Sequence, residues 1–529
     1  DYTGQGTALV GVLDAFWENK GYTTPEEFRR FNSPVVVLAR IQSYVLKSTD
    51  CFLAPLAICN FGTKEYDKLT LCWSIKEVNN GTVLGSGELQ KEHVLLGKNT
   101  EFGTVCFDFG APDLNEVLNT EEAAQDQSYG RKLWFTVEAF DSNGEKIAEN
   151  IWDLTLFVKQ KEKQSKEVLL TKDYEEAMEA LQEGKTVLLT PYLSDMDFEC
   201  PNLSYKNVYW NAQMGPGWCR QLGIVVEEKH PLFQTFPTTH SGGWEWQNIL
   251  EHARGYHFPA KYRAIVRVID EWNRNYPLSL IFEGKVLNGK LLFAAANLDG
   301  DFDTRPAAAT LREALLSYAS SDRFCPEQEI LPEDLWKHMR PMYRGSDIIA
   351  EVLVNKEKKQ ECINCYDINP NIPFVYHTTK LPVEFEIILK HPVKVKRLYC
   401  LPIQNDREFL GVIRDYRLQA EEVLVTGTWR NGFETCWSGD LDVVTDRLTL
   451  TVLSTYSEGE ASRFEEKNGG WHRVKRQNPP VVSMAALGIE YEEVTEGLAD
   501  VAAGAEKTRR NDEHFWQGAA ASRHKEIDV

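Results

Sequence analysis

The sequence predicts a multidomain protein that combines β and α/β domains, and three observations support this fold class. The chain has 529 residues, enough for about three to four domains of roughly 150 residues each. Two long regions alternate apolar and polar residues in short runs, which is typical of β-strands. The region between them alternates strand-like and helix-like segments, which indicates an α/β domain.

The first segment, residues 1–33, predicts the end of a strand, a long loop and a short helix. The opening DYTGQGT is a glycine-rich loop of the kind that follows a strand. Thr24 is the predicted helix cap, Pro25 suits the first helical position, and Glu27 completes a capping box. This segment is too small to bury a core, so we expect its packing partner to lie upstream in the chain.

Residues 34–160 predict a β-sandwich of immunoglobulin-like size. Short runs such as VVVLARI, LTLCWSIKEV and KLWFTVEAFD are separated by the turn sequences NNGT and DSNGE. Regular short strands with turn residues between them are typical of such sandwiches. The polar run at residues 159–166 is interpreted as a linker.

Residues 165–322 predict an α/β domain with a largely parallel sheet. The strand VLLT, the helix DYEEAMEALQEG and the strand TVLLTPY follow one another, and a further helix is expected after Pro306. Such alternation is typical of strands joined by crossover helices. The segment 325–331 is interpreted as a linker to the next domain.

Residues 332–494 predict a second β-sandwich or jelly roll, from runs such as VEFEIILK, KVKRLYCLPI and RLTLTVL. The last segment, 495–529, is rich in alanine and charge and is expected to be a peripheral tail.

The charge balance limits the classes of partner. Fifty-eight basic residues stand against 79 acidic ones, a net charge of −21, which argues against nucleic acid or an anionic membrane as partner. No stretch approaches the roughly 20 continuous apolar residues of a membrane span. A neutral or cationic ligand fits this charge, and so does a role in solubility alone.

The cysteines predict neither a disulfide framework nor a metal site. Their number, eleven, is odd and they are scattered along the chain. Cys362 and Cys365 form a CxxC pair without the second ligand pair that tetrahedral zinc needs. We therefore expect no metal and no cofactor.

No motif for nucleophilic catalysis stands out in the α/β region. The region has no GxSxG or GxCxG sequence, and neither Cys200 nor Cys219 has the small neighbours that a nucleophile elbow requires. His240 and Glu245 resemble a histidine–acid pair, but without a nucleophile a structural role fits His240 better.

Two further sequence patterns resemble binding sites. Asp299, Asp301 and Asp303 have the spacing of a calcium loop, but threonines occupy the positions where an EF-hand needs glycine and glutamate, which excludes that motif. Tryptophans are concentrated in the α/β region, where core packing is the more frequent role and stacking against a sugar the alternative; they are Trp210, Trp218, Trp244, Trp246 and Trp272.

The opening stretch DYTGQGTALVGVLDAFWENKGYTTPEEFRRF resembles the end of the catalytic (β/α)8 barrel of β-galactosidase-like enzymes of glycoside hydrolase family 2. The immunoglobulin-like sandwich follows such barrels in that family, as NFG at residues 60–62 suggests here. The resemblance implies that both catalytic glutamates lie upstream of Asp1, because a retaining pair must sit about 5 Å apart in one cleft. It therefore implies no catalytic residue within this chain.

Two further stretches extend the resemblance. WNAQMGPGWCRQLGIVVEEKHPLFQTFPT is similar to the amidotransferase-like α/β domain of long family members, which lacks the catalytic cysteine. CYDINPNIPFVYHTT, KVKRLYCLPIQND and GVIRDYRL resemble a discoidin-like (factor 5/8 C-type) domain, commonly a carbohydrate-binding module. Its usual calcium-binding glutamate is replaced here by Leu487 or Gly488, which argues against calcium, although Asp367 remains a candidate ligand.

The resemblance implies the C-terminal portion of a retaining glycoside hydrolase that acts on glycans, inactive without its upstream part. The implied partners are an oligo- or polysaccharide and the upstream part of the same protein, with a homo-oligomer left open and an extracytoplasmic location. If Asp1 ends the last barrel strand, Asp1, Tyr2, Gln5 and Trp17 lie beside the sugar cleft, Trp17 as a stacking platform. The alternative role of Trp17 is packing on the sandwich. The alternative functions are a non-catalytic carbohydrate-binding or scaffolding protein and, less well supported, an amidotransferase-like hydrolase.

Overall fold

A computed structural model gives the architecture of the chain. It describes residues 12–13, 16–111, 130–159, 168–197, 199–205, 221–271, 274–339, 348–366, 374–378, 380–403, 411–432, 434–456, 460–467, 470–477 and 481–494. The predicted barrel-strand end at residues 1–11 and the tail at 495–529 lie outside the described residues. No helix in the described ranges is long and apolar enough to cross a membrane.

Helix α1, Pro25–Phe31, is the main element of the N-terminal segment. The capping box is confirmed: Thr24 Oγ1 accepts from the Glu27 amide and the Glu27 carboxylate accepts from the Thr24 amide. The helix buries no residue of its own. Arg30 of the helix lies 3.7 Å from Glu149 of the following sandwich.

The N-terminal sandwich consists of two sheets with the strand orders β1-β3-β6 and β2-β8-β7-β4-β5. All pairings are antiparallel except that of β2 with β8. The Phe52 and Phe135 rings meet at 5.0 Å between the sheets, and both are almost fully buried. The strands are β1 Val35–Ala39, β2 Val45–Lys47, β3 Cys51–Asn60, β4 Tyr66–Glu77, β5 Val83–Val94, β6 Lys98–Asp108, β7 Gly130–Asp141 and β8 Lys146–Phe157.

The α/β unit is built on one sheet with the order β11-β13-β14-β15-β10-β9, and β12 pairs with β14. Its strands are β9 Val168–Thr171, β10 Thr186–Leu189, β11 Gln221–Val226, β12 Tyr256–His257, β13 Val266–Asp270, β14 Pro277–Val286 and β15 Gly289–Ala294. Its helices are α2 Tyr174–Gln182, α3 Gln247–Leu250, α4 Pro306–Ala319 and α5 Pro332–Trp336. The helix predicted after Pro306 is confirmed as α4, which buries Leu311 and Leu315.

The prediction of a largely parallel sheet is wrong. Only β9, β10 and β15 run parallel, whereas β11, β13 and β14 join the sheet through antiparallel pairings. The reason is the length of the connections. Leu287 and Asn288 alone join β14 to β15, and so short a loop permits only an antiparallel hairpin, because a parallel pair needs a crossover of a dozen or more residues.

The segment 325–331 is not a linker, since it packs along β14. The Lys285 amide donates to Gln328 O and the Ile330 amide to Lys285 O, and Ile330 is buried. Leu335 and Met339 then enter the core of the α/β unit. Residues 332–339 therefore belong to this unit. The prediction that the C-terminal sandwich begins at residue 332 is wrong for these residues.

The C-terminal unit is an antiparallel β structure around its own core. The largest sheet has the order β17-β16-β19-β23-β20-β21, and the long strand β19 also pairs with β22 and β27. The strands are β16 Ile349–Val354, β17 Glu357–Lys358, β18 Phe374–His377, β19 Val383–Leu401, β20 Asp415–Ala420, β21 Val423–Thr428, β22 Cys436–Trp437, β23 Val443–Val452, β24 Glu460–Lys467, β25 Gly470–Gln477, β26 Val481–Met484 and β27 Ala486–Glu492.

Candidate functional site

A concave site lies between the N-terminal sandwich and the α/β unit. It encloses about 430 Å³, within the range of about 300–1,000 Å³ usual for small-molecule sites. One wall is the loop into β2, and the other walls are the turn before α3 and the start of α4. The lining residues are Gln42, Ser43, Tyr44, Val45, Trp244, Glu245, Gln247, Asn248, Glu251, Thr304, Arg305, Pro306 and Ala307. We call this the interdomain groove.

An aromatic pair forms the apolar part of the groove. The Tyr44 and Trp244 rings stack with centroids 4.4 Å apart and an interplanar angle of 9°. Tyr205 contacts the same indole at 5.4 Å. Trp244 is 37% exposed, so a large part of its surface remains available to a ligand. Burial, and then the nearby Glu245 carboxylate, raise the pKa of Tyr205 to about 12.

Arg305 provides a buried cationic donor beside this pair. Its Nε donates to Asn248 Oδ1 at 2.8 Å and its Nη1 to Asp299 O at 2.7 Å. Among the described residues, its buried Nη2 has no hydrogen-bond partner. Burial lowers the pKa of Arg305, although an arginine remains charged at neutral pH. The guanidinium is thus fixed by two bonds and has one donor unsatisfied.

Glu245 provides a buried acceptor in the groove lining. Its Oε2 accepts from Lys132 Nζ of strand β7, and the glutamate side chain is fully buried. Its other oxygen, Oε1, finds no hydrogen-bond partner in the part of the chain that the structure describes. An unsatisfied buried polar group costs about 1–3 kcal/mol. Both unsatisfied atoms are buried, so a ligand with hydroxyl donors and acceptors would satisfy them only where the surrounding side chains shift to uncover them.

The docking of the two units keeps the groove in shape. The Phe157 and Phe236 rings stack across the boundary at 5.7 Å. Lys47 Nζ donates to Asp303 O at 3.0 Å, so that the loop before α4 is tied to strand β2. The Lys132–Glu245 ion pair also crosses the boundary.

The residues predicted to contact substrate at the N-terminus are not in this groove. Asp1, Tyr2 and Gln5 lie outside the described residues. Trp17 is described, is 76% exposed and has a positive φ of 67°. An indole so exposed does not pack on the sandwich, which was its alternative role. Its predicted role beside a sugar cleft stays a prediction.

The histidine–acid pair and the tryptophans that the sequence singled out in the α/β region have different environments in the structure. His240 Nδ1 lies 3.1 Å from Val226 O, while Glu245 pairs with Lys132, so the two do not form a pair. Trp246 is fully buried, unlike Trp244. Trp210, Trp218, Trp272 and Cys219 lie outside the described residues.

The aspartates of the rejected calcium loop turn to separate partners. Asp299 pairs with Lys172, whereas Asp301 Oδ1 accepts from the amide and the hydroxyl of Thr304, each at 2.8 Å. The carbonyl of Asp303 accepts from Lys47. These contacts shape the loop that leads into Arg305.

In the C-terminal sandwich, Leu487 is buried in the core. The Tyr399 ring covers Gly488 so closely that an added Cβ would lie 2.3 Å from it. Asp367 lies outside the described residues. Cys362 and Cys365 are buried, and burial raises the pKa of both thiols.

Sequence reasoning missed a second cluster of polar residues in the α/β unit. Ligand atoms of Glu199, His257 and His338 all lie within 4.8 Å of one another. They come from the loop after β10, from β12 and from the segment after α5. The alternating carboxylates of DMDFEC were the one local signal, since residues so far apart in the sequence form no spacing motif.

Comparisons with known proteins give family matches for parts of the chain. Residues 168–340 match a family described as a domain of unknown function, DUF8487, and residues 50–121 match another, DUF8488. No curated protein matches the chain.

Several solved domains resemble a part of the chain. The family 32 carbohydrate-binding module of NanJ from C. perfringens, in complex with galactose, has 17% identity, covers 28% of this chain and 97% of its own, and gives a TM-score of 0.21. The C-terminal domain of a chitobiase from Bacteroides fragilis has 14% identity with the same coverage and a TM-score of 0.20. An F5/8 type C domain, also from Bacteroides fragilis, has 12% identity, covers 27% of this chain and 91% of its own, and gives a TM-score of 0.18.

Proposed function

We propose that the interdomain groove binds an oligo- or polysaccharide, and that the chain serves a retaining, β-galactosidase-like glycoside hydrolase whose catalytic glutamates precede residue 1. One observation carries the proposal. The stacked Tyr44–Trp244 pair lies in the same groove as two buried polar atoms, Arg305 Nη2 and Glu245 Oε1, that have no hydrogen-bond partner among the described residues.

A saccharide matches this combination of surfaces. The C–H face of a pyranose is apolar and packs against aromatic rings, while its hydroxyls both donate and accept hydrogen bonds. After side-chain shifts that uncover the two buried atoms, one hydroxyl can accept from Arg305 Nη2 and another can donate to Glu245 Oε1. Asn248, Gln247 and Glu251 add polar atoms to the lining. A purely apolar ligand would leave both buried atoms unsatisfied.

The enzymatic part of the proposal follows from the resemblance of the opening stretch to a barrel end. In this arrangement the chain supplies binding surface and the upstream part supplies general acid and nucleophile. Phe16 and Trp17 are 81% and 76% exposed, and exposed aromatics of this kind often mark a contact surface. The upstream barrel is the partner that we assign to them.

A glycan array probed with the 529-residue chain tests the binding. We expect retention of a set of oligosaccharides and at least about tenfold weaker binding by Trp244→Ala, equivalent to about 1.4 kcal/mol. Trp134→Ala is the matched control, because Trp134 is similarly exposed at 42% but does not line the groove. Equal losses in both variants, or no retained saccharide, would contradict the proposal.

Hydrolysis of aryl β-glycosides tests whether the catalytic glutamates lie outside this chain. The 529-residue chain alone should give no turnover above blank, since neither glutamate of the pair is expected in it. Turnover that a single Glu→Gln change within residues 1–529 abolishes would show that the chain is itself the enzyme.

A further inference from the structure

The cluster of Glu199, His257 and His338 has the dimensions of a metal site. Glu199 Oε2 lies 3.2 Å from His257 Nδ1 and 3.7 Å from His338 Nδ1. Ligand atoms that are about 2.0–2.1 Å from a tetrahedral Zn²⁺ lie about 3.3 Å from one another. These two separations bracket that value, and ligand atoms of all three residues lie within 4.8 Å of one another, so the side chains must close around an ion to bind it.

A fourth donor lies next to the cluster. Asp197 Oδ2 is 2.9 Å from His338 Nδ1. Two imidazoles and two carboxylates carry a charge of −2 when both rings are neutral, which a divalent cation balances. Two imidazole nitrogens with carboxylate oxygens form a donor set that zinc accepts.

The surrounding residues hold these side chains in place. The buried Arg254 donates to the carbonyls of Leu193, Met196, Asp197 and Cys200, each at 2.7 Å. It thereby fixes the loop that carries both carboxylates. The loop is also joined to the chain after α5, because the Asp197 amide donates to His338 O at 3.0 Å.

The two histidine rings are stacked, and because an imidazole binds a metal close to its ring plane, one ring must turn before both can face the same ion. The His257 ring lies between Tyr276, at 4.4 Å and 6°, and His338, at 4.6 Å and 16°. His338 is 3% exposed. The hydroxyl of Tyr276 is buried and has no partner among the described residues, so the neighbourhood of the cluster contains an unsatisfied polar atom.

We propose that Glu199, His257, His338 and Asp197 bind one divalent transition metal ion of the zinc class. The ion replaces the protons that the rings and carboxylates otherwise share. Its role is structural, because it ties the loop after β10 to strand β12 and to the segment after α5. The site is separate from the interdomain groove and does not depend on saccharide binding.

The alternative is that these residues form only hydrogen-bonded ion pairs and bind no metal. Zinc titration distinguishes this alternative from a metal site. The 529-residue chain is dialysed against a chelator and titrated with ZnCl₂ under calorimetry and thermal melting. We expect one Zn²⁺ per chain and a rise in melting temperature of about 5–10 °C at 100 times the dissociation constant. Absence of stoichiometric binding by this chain would overturn the proposal.

Variants localise the ion. Glu199→Gln keeps the size of the side chain and should abolish the thermal shift, and His338→Gln should do the same. His391→Gln is the matched control, since His391 and Glu493 form an exposed pair at 2.9 Å without a second histidine; it should retain the full shift. Cobalt(II) gives a second readout, because a four-coordinate site produces visible absorption that Glu199→Gln should remove. Zinc binding that survives in Glu199→Gln would place the ion elsewhere and overturn the assignment.

Discussion

The Tyr44 and Trp244 rings lie parallel, 4.4 Å apart, and connect the N-terminal sandwich to the α/β unit. Tyr44 precedes strand β2, while Trp244 lies in the turn before α3. The aromatic wall of the groove therefore exists only when the two units are docked. Any change that loosens the docking should also weaken a ligand bound in the groove.

The Lys132–Glu245 ion pair should be the most sensitive polar contact in this docking. Lys132→Met leaves the fully buried Glu245 carboxylate without its cation, and we expect a loss of about 3 kcal/mol in unfolding free energy. Urea denaturation followed by tryptophan fluorescence measures the loss. The double variant Lys132→Met/Glu245→Gln should recover most of it, because the unpaired charge is gone.

Lys146→Met is the control for that prediction. Lys146 lies 2.7 Å from Glu149, and the two side chains are 47% and 32% exposed; solvent-accessible pairs contribute only about 0–1 kcal/mol. If Lys132→Met costs no more than Lys146→Met, the buried pair does not stabilise the docking.

Glu283 should make the α/β unit less stable as the pH rises. It is partly buried beside Tyr318 Oη at 2.9 Å and His230 Nε2 at 3.9 Å. Burial raises its pKa above the ordinary 4.5, against the opposing hydrogen bond from Tyr318. The folded state thus holds the proton more tightly than the unfolded state, and this stabilisation is lost as the pH rises through the folded pKa.

The pH profile of Glu283→Gln tests this effect. The stability of the wild type minus that of the variant should fall as the pH rises from about 4.5 and then become constant above the folded pKa. Glu228→Gln, an exposed position, should give a flat difference. A difference for Glu283→Gln that rises with pH would mean that the charged carboxylate is stabilised in the fold.

Cys51 and Cys106 should form a disulfide when an oxidant is supplied. Their sulfur atoms lie 3.2 Å apart on neighbouring strands β3 and β6, and both residues are exposed. Oxidised glutathione would take two electrons and two protons from the thiols and leave two molecules of reduced glutathione. We expect the loss of two reactive thiols in the wild type, counted with a chromogenic thiol reagent. In Cys106→Ser the reaction can go only as far as a mixed disulfide of Cys51 with glutathione, so at most one thiol of this pair is lost and one reduced glutathione is released. Retention of both thiols would show that the strands hold the sulfurs in the wrong geometry.

Local signals in the sequence predicted local structure correctly. The capping box of α1 depends on Thr24 and Glu27, three residues apart, and the structure contains both of its hydrogen bonds. Helix α4 likewise follows from Pro306 and the apolar spacing after it. The prediction of a parallel sheet was wrong because strand–helix alternation does not reveal which strands a hairpin joins; here Leu287 and Asn288 form the two-residue turn between β14 and β15.

Neither the interdomain groove nor the Glu199 cluster could be predicted from the sequence, because only the tertiary fold brings their residues together. Trp244 and Glu245 attracted attention in the sequence, but as a sugar platform and as a partner for His240. Their actual neighbours Tyr44 and Lys132 come from another domain, and no periodicity predicts such a contact. The Glu199 cluster was missed because its residues lie in one unit but are far apart in the sequence.

The most direct test of the central claim, saccharide binding in the interdomain groove, is the affinity of Arg305→Lys for the glycans that the wild type retains. Lysine keeps the charge but cannot make the two bonds that fix the guanidinium and still offer a third donor. Titration calorimetry should show binding at least about tenfold weaker, since a hydrogen bond to a charged group contributes about 1.5–3 kcal/mol. The control is Arg263→Lys, at an exposed position, which should bind as the wild type does. Unchanged affinity in Arg305→Lys would contradict the claim that the groove is the binding site.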